Sequence, residues 1–88
     1  MEVEYTKSFV KDLKSLKDKS LKDKVKSEIL ELENNESLYN LPNIISIVNS
    51  QDYYRIRVGD YRIGIKLEDN IVKLIRCLHR KDIYKKFP

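Results

Sequence analysis

The sequence holds one cysteine, two glycines and two prolines in 88 residues, and its uninterrupted apolar runs are short. A single cysteine, Cys77, excludes an internal disulfide. With one histidine and no second cysteine there is no metal-ligand spacing, so neither a metal nor another cofactor is expected. Apolar runs this short exclude a membrane-spanning helix, and the lysine-studded start lacks the apolar stretch of a signal peptide. A cytoplasmic location follows as the expectation. No low-complexity run, repeat or linker interrupts the chain, so residues 1–88 read as one domain. A domain of that size buries only about 60% of the surface its unfolded form exposes, which leaves a thin core.

Arginine is absent from residues 1–36, where eight lysines stand against nine carboxylates. Residues 37–88 carry five arginines and five lysines against five carboxylates. The net charge of +4 therefore originates in the second part of the chain. Lysines scattered among carboxylates on helices keep a surface wet, whereas arginine is suited to bidentate contact with phosphate. That segregation favours an anionic partner.

The patterning gives the order of elements. "MEVEYT" alternates and reads as a strand with Val3 and Tyr5 on one side. Thr6 or Ser8 can cap the helix that follows, in which Phe9, Leu13 and Leu16 recur at helical spacing. A second helix carries Leu21, Val25, Ile29 and Leu32 on one face; Ser20 with Asp23 resembles its cap, and Asn34-Asn35 its stop. Beyond a loop marked by Pro42, "IISIV", residues 53–58 and "IVKLIRCL" read as strands, and "RKDIYKKFP" as a short helix or turn. The implied fold is α+β: an antiparallel sheet of about four to five strands with an N-terminal helix hairpin packed on one face and the other face partly open.

Within "YYRIRVGDYRIGIK", Gly59-Asp60 suits a two-residue turn that begins with glycine. Counting outward, Val58 faces Tyr61, Ile56 faces Ile63 and Tyr54 faces Ile65, an apolar set for the helices. On the reverse face Arg57 is opposite Arg62, Arg55 opposite Gly64, and Tyr53 opposite Lys66. Like charges directly opposite destabilise a strand pair by about 0.2–1 kcal/mol. Two readings account for their presence: an anionic ligand lies across them, or each bridges to an internal carboxylate. Gly64, beside the arginines, leaves a hollow where a ligand can approach the backbone. The next turn, at "EDN", is compatible with two closures. A two-residue turn continues the arginine face with His79, and a three-residue turn continues it with Arg76.

His79, followed by Arg80 and by Tyr84 a short turn later, is the one side chain whose unperturbed pKa suits proton transfer near neutrality. "YRIRVGDYRIGI" followed by "HRKDIYKKF", after a strand and a lysine-rich helix pair, resembles the RelE/ParE superfamily of toxins from type II toxin-antitoxin systems, and most of all the RelE-type mRNA interferases. The resemblance implies a RelE-like fold. It also implies a metal-independent endoribonuclease that enters the ribosomal A site, cuts messenger RNA there and inhibits translation. Its implied partners are the ribosome, messenger RNA and an acidic, largely unfolded antitoxin that silences it, with the free toxin a monomer.

Carried onto this sequence, the resemblance implies a catalytic set of Arg57, Arg62, His79, Arg80 and Tyr84, with Arg55, Lys66, Lys81 and Lys85 binding RNA phosphates. The arginines would stabilise the crowded phosphate, Tyr84 would stack on or orient a base or sugar, and His79 would transfer a proton to the leaving oxygen. Some RelE-type enzymes carry lysine where this chain has Arg55 and Arg57, and arginine does not give up its proton. The general base is thus open among Tyr84, His79 and a ribosomal group. Two rivals stand beside the enzyme: a ParE-like toxin that binds and inhibits DNA gyrase without chemistry, and a plain basic RNA-binding domain.

Overall fold

A computed structural model of the chain describes residues 1–47 and 51–88. The chain runs through β1 (Glu2–Tyr5), α1 (Lys7–Ser15), α2 (Lys19–Asn34), a 3-10 turn (Leu38–Asn40), β2 (Ile44–Ser46), β3 (Tyr53–Val58), β4 (Tyr61–Glu68), β5 (Ile71–His79) and α3 (Arg80–Lys86). The strands form one sheet in the order β1-β5-β4-β3-β2. Of the "IISIV" strand, Ile44–Ser46 is seen, and Val48 lies outside the described residues. Steps from β2 to β5 are antiparallel, as the alternation implies. β1, however, lies parallel to β5, with Val3 beside Val72 and Tyr5 beside Leu74, so the sheet is mixed. The two helices carry the chain from one edge strand to the other, and three antiparallel steps then return it to β1. No helix among the described residues is long and apolar enough to cross a membrane.

Caps set the helix pair. Thr6 Oγ1 accepts from the Phe9 N–H (3.2 Å) and its hydroxyl donates to the Leu74 carbonyl (2.7 Å), which fixes the start of α1 against β5. α2 is capped by Asp18 rather than by the expected Ser20 and Asp23: its carboxylate accepts from Ser20 N and Leu21 N at 2.9 and 3.3 Å. Ser20 is already inside the helix, and a carboxylate just before the first turn also meets the positive end of the helix dipole. Asn35 closes α2, donating from Nδ2 to the Glu31 carbonyl.

The core lies between this hairpin and one face of the sheet. Phe9, Val25 and Leu32 from the helices and Ile56, Ile63, Ile65, Val72 and Leu74 from the strands are fully buried. Each such side chain contributes about 1.5–3 kcal/mol on burial, so a thin core is sufficient only because nearly every inward position is filled.

Past the end of β1, α1 takes over the edge of β5, and Asp12 makes the contact. Its Oδ2 accepts from Arg76 Nε (2.7 Å) and from the Cys77 N–H (3.0 Å), while Oδ1 accepts from Arg76 Nη2 (3.1 Å). The carboxylate thereby satisfies an edge N–H that water would otherwise solvate, and it neutralises a half-buried guanidinium. The same hydrogen bonds hold the Arg76 pKa above its ordinary value. Asp12→Asn keeps the shape and removes the charge, and should cost about 2 kcal/mol in urea unfolding once partial exposure of Arg76 is allowed for. A loss under about 0.5 kcal/mol would make the pair an ordinary surface bridge.

Cys77 beside it is buried, and burial, with the Asp12 carboxylate adding to it, pushes the thiol up to about 12. A raised thiol pKa keeps sulfur protonated, hence unreactive, throughout the neutral range. At pH 8 a thiol-specific disulfide reagent should label Cys77 only at the rate of global unfolding. Labelling of folded protein at the speed of an exposed thiol would contradict this environment.

Candidate functional site

The hairpin has the register expected of it: Val58 pairs with Tyr61, Arg57 with Arg62, Arg55 with Gly64 and Tyr53 with Lys66. Gly59 makes the turn possible with φ of +58°, a conformation that side chains disfavour. Arg55, Arg57, Arg62 and Lys66 thus share the face turned away from the α1–α2 hairpin. Among the described residues, ion pairs join Lys66 and Lys73 to Glu68 and Arg76 to Asp12. No carboxylate pairs with Arg55, Arg57, Arg62 or Arg80 among those residues. Bridging to internal acids therefore explains Arg76 and not the arginine row. Arg62 is nearly buried, and its Nη1 donates to the carbonyls of Gly59 and Tyr61, both at 2.8 Å. Those carbonyl dipoles offset part of the repulsion from the exposed Arg57.

The turn at the end of β4 resolves the second register. Asp69 and Asn70, with φ of +51° and +66°, form a two-residue turn that pairs Glu68 with Ile71. A β-bulge between Gly64 and Ile65 then shifts the pairing by one, because Gly64 faces Arg76 while Ile65 faces Leu74, leaving Ile75 extra. The closure is the two-residue one, yet Arg76 rather than His79 comes level with the arginine face. Arg76 itself turns over the sheet edge to Asp12. His79 pairs with Tyr61, on the side of the core, and lies edge-on to its ring at 5.5 Å. It borders a shallow cavity of about 240 Å³ with Asp12, Tyr61, Asp82 and Lys86. Its Nδ1 accepts from the Lys81 N–H (3.1 Å), so the imidazole caps α3.

α3 and the residue after it cross the arginine face, which is less open than expected. The Arg80 N–H donates to the Asp60 carbonyl (2.8 Å), tying the helix start to the hairpin turn. Tyr84 lies over the Arg55 guanidinium, 4.4 Å from carbon to ring centroid. Ile83 and Phe87 are buried apart from the main core. Phe87 sits on Gly64 and edge-on to Tyr53 (5.7 Å), so the hollow expected to admit a ligand is filled by the chain's own phenyl ring. The signal for this was present: Ile83 and Phe87 are four apart, one stripe of a helix that needs a surface to cover. Arg80, Lys81 and Lys85 are exposed on α3, and Tyr84 is 67% exposed. Lys66 is half-buried beside Glu68, whose carboxyl Lys66 and then Lys73 hold below the ordinary carboxylate range.

The structure therefore gathers Arg55, Arg57, Arg62, Lys66 and Tyr84 on one face with α3, and sets His79 on the other side of Tyr61. A family model described as the ParE toxin of the type II toxin-antitoxin system parDE matches residues 3–84. This chain belongs to the RelE/ParE toxin superfamily. Within it the likeness is to RelE: the chain is 44% identical over 89 residues to Toxin RelE3 of Methanocaldococcus jannaschii, covering 100% of both. Its fold matches the toxin of a RelB-RelE antitoxin-toxin complex from Methanococcus jannaschii at a TM-score of 0.82, with 43% identity over 97% of this chain and 99% of that one. An archaeal RelE-RelB complex from Pyrococcus horikoshii OT3 matches at 0.72, with 26% identity over 90% and 93% of the two chains. The protein is a RelE-type toxin of a type II toxin-antitoxin system.

In this RelE-type toxin the Phe87 ring of the tail lies directly over Gly64 of the sheet. A Cβ added there would stand 2.7 Å from the Phe87 ring, closer than real contacts allow. Gly64→Ala should push Phe87 off the sheet, lower stability by about 1–2 kcal/mol, and speed hydrogen exchange of α3 amides while α2 stays protected. Unchanged α3 exchange would mean the tail is held by other contacts.

Proposed function

We propose that this RelE-type toxin is an endoribonuclease, an mRNA interferase that arrests translation by cutting messenger RNA in the ribosomal A site. The observation that carries the reading is the row of guanidinium groups without a carboxylate partner on the face crossed by α3. Cleavage proceeds by attack of the 2'-hydroxyl on the adjacent phosphorus: the O2'–P bond forms, the P–O5' bond breaks, and the products are a 2',3'-cyclic phosphate and a 5'-hydroxyl. Negative charge builds on the phosphate oxygens in between. Arg57, Arg62 and Arg80 stabilise that charge as fixed cations, which leaves no need for a metal. Lys66, Lys81 and Lys85 hold flanking phosphates, and Tyr84 stacks on a base or sugar.

Proton transfer is assigned to Tyr84 and to groups on the ribosome. The position of His79 behind Tyr61, with Nδ1 engaged at the helix start, supports a capping role for it. The RelB-RelE complexes of the related toxins support an antitoxin as the partner that silences this chain, and cytoplasmic action follows from the substrate. A second reading, a ParE-like toxin that binds DNA gyrase without chemistry, draws on the description of the matching family model.

In a purified translation system the toxin, pretreated with EDTA, should leave fragments ending in 2',3'-cyclic phosphate. Arg57→Ala and Arg80→Ala, both exposed, should each slow cutting by about a hundredfold. His79→Ala should cost about 1 kcal/mol of stability and no more than about fivefold in rate; a hundredfold loss would return the imidazole to the chemistry. Intact messenger together with halted supercoiling would transfer the reading to the gyrase inhibitor.

A further inference from the structure

Arg55 differs from its neighbours in the arginine row. Arg57 is exposed and Arg62 donates to the turn, but Arg55 is half-buried with its guanidinium beneath the Tyr84 ring. Its Nε is fully buried and has no hydrogen-bond partner, which is a destabilising state for a cationic donor. A side chain placed to grip phosphate would present its N–H fork to the open face, whereas here the guanidinium carbon lies 4.4 Å from the ring centroid, covered by Tyr84. Tyr84 in turn is 67% exposed, so the ring has one face on Arg55 and offers the other to solvent. We propose that Arg55 is a positioning residue: it holds the Tyr84 ring flat against β3 so that the outer ring face receives a nucleobase beside the scissile phosphate. Phosphate contact falls to the exposed Arg57 and Arg80.

This rests on the endoribonuclease reading, and it explains why a stacked arginine rather than a lysine serves at the position. A guanidinium stacks in plane with a phenol, and an ammonium is a point charge without a face to match it.

A double-mutant cycle tests it, read in cleavage on the ribosome and separately in affinity for ribosomes programmed with a messenger made uncleavable by 2'-O-methylation in the A-site codon. Arg55→Gln should slow cleavage about tenfold in the wild-type background and less than about twofold in Tyr84→Leu, because the first residue acts through the second. Arg55→Lys, which keeps the charge and loses the plane, should behave as Arg55→Gln does. The slope of binding affinity against salt should be unchanged in Arg55→Gln and should fall by about 0.7 in Arg57→Gln, the value of one single-strand phosphate contact. Equal losses in both backgrounds, rescue by lysine, or a reduced slope in Arg55→Gln would make Arg55 a phosphate ligand and overturn the assignment. Binding without any cleavage by wild type would defeat the enzymatic reading alone, with the binding cycle still deciding Arg55; absence of binding would overturn both.

Discussion

The basic face of this toxin depends on one unfavourable contact, the pairing of Arg57 with Arg62 across β3 and β4. Like charges in that position work against the sheet, and among the described residues no carboxylate relieves them. What the fold supplies instead is a pair of carbonyl dipoles, from Gly59 and Tyr61, aimed at Arg62. Both carbonyls belong to the turn, and the turn needs glycine at a positive φ. Turn geometry, arginine orientation and concentrated positive charge are thus a single device. The cost of the like-charge pair to the sheet is what an anionic ligand would offset under the proposed function.

The acids are spent elsewhere, in a way that separates structural cations from the rest. Asp12 takes Arg76 and the Cys77 N–H and so closes the edge of β5 where β1 stops. Glu68 takes Lys66 and Lys73 at the far end of the β4–β5 pair. Asp12 serves a sheet edge and Glu68 a cross-strand lysine pair, and neither is paired with an arginine of the hairpin. With lysines and carboxylates nearly balanced in residues 1–36, the helix hairpin adds little net field of its own. The positive potential is therefore set by β3, β4 and α3.

Local features were legible wherever local forces decide. The hairpin register followed from counting away from Gly59-Asp60, and the helices from apolar spacing, because a period of two or 3.6 is imposed by burial on one face. The bulge after Gly64 was not legible. It brings Arg76 to a carboxylate 64 residues away in sequence, and no turn signal within β5 announces it. That one-residue shift also decided where His79 faces, so the least readable step of the sheet controlled the most debated side chain. The parallel placement of β1 is likewise a tertiary outcome, since an alternating edge strand reads the same in either direction. Gly64 does mark a close approach, but of Phe87 and not of a ligand. A missing side chain marks the hollow without saying whether a ligand or an aromatic ring of the same chain fills it.

A helix of seven residues is not stable alone in water, so α3 exists only through its contacts. Besides the buried Ile83, those are the His79 cap, the Arg80 N–H on Asp60, Phe87 on Gly64 and Tyr84 on Arg55. Two of the four rest on β3 and β4 themselves, opposite one another in the register. Docking of the tail and assembly of the candidate site are therefore one equilibrium, and the fraction of molecules with the site assembled equals the fraction with α3 seated. The ordering of Tyr84 is in this sense a property of the strand pair beneath it more than of the helix that carries it.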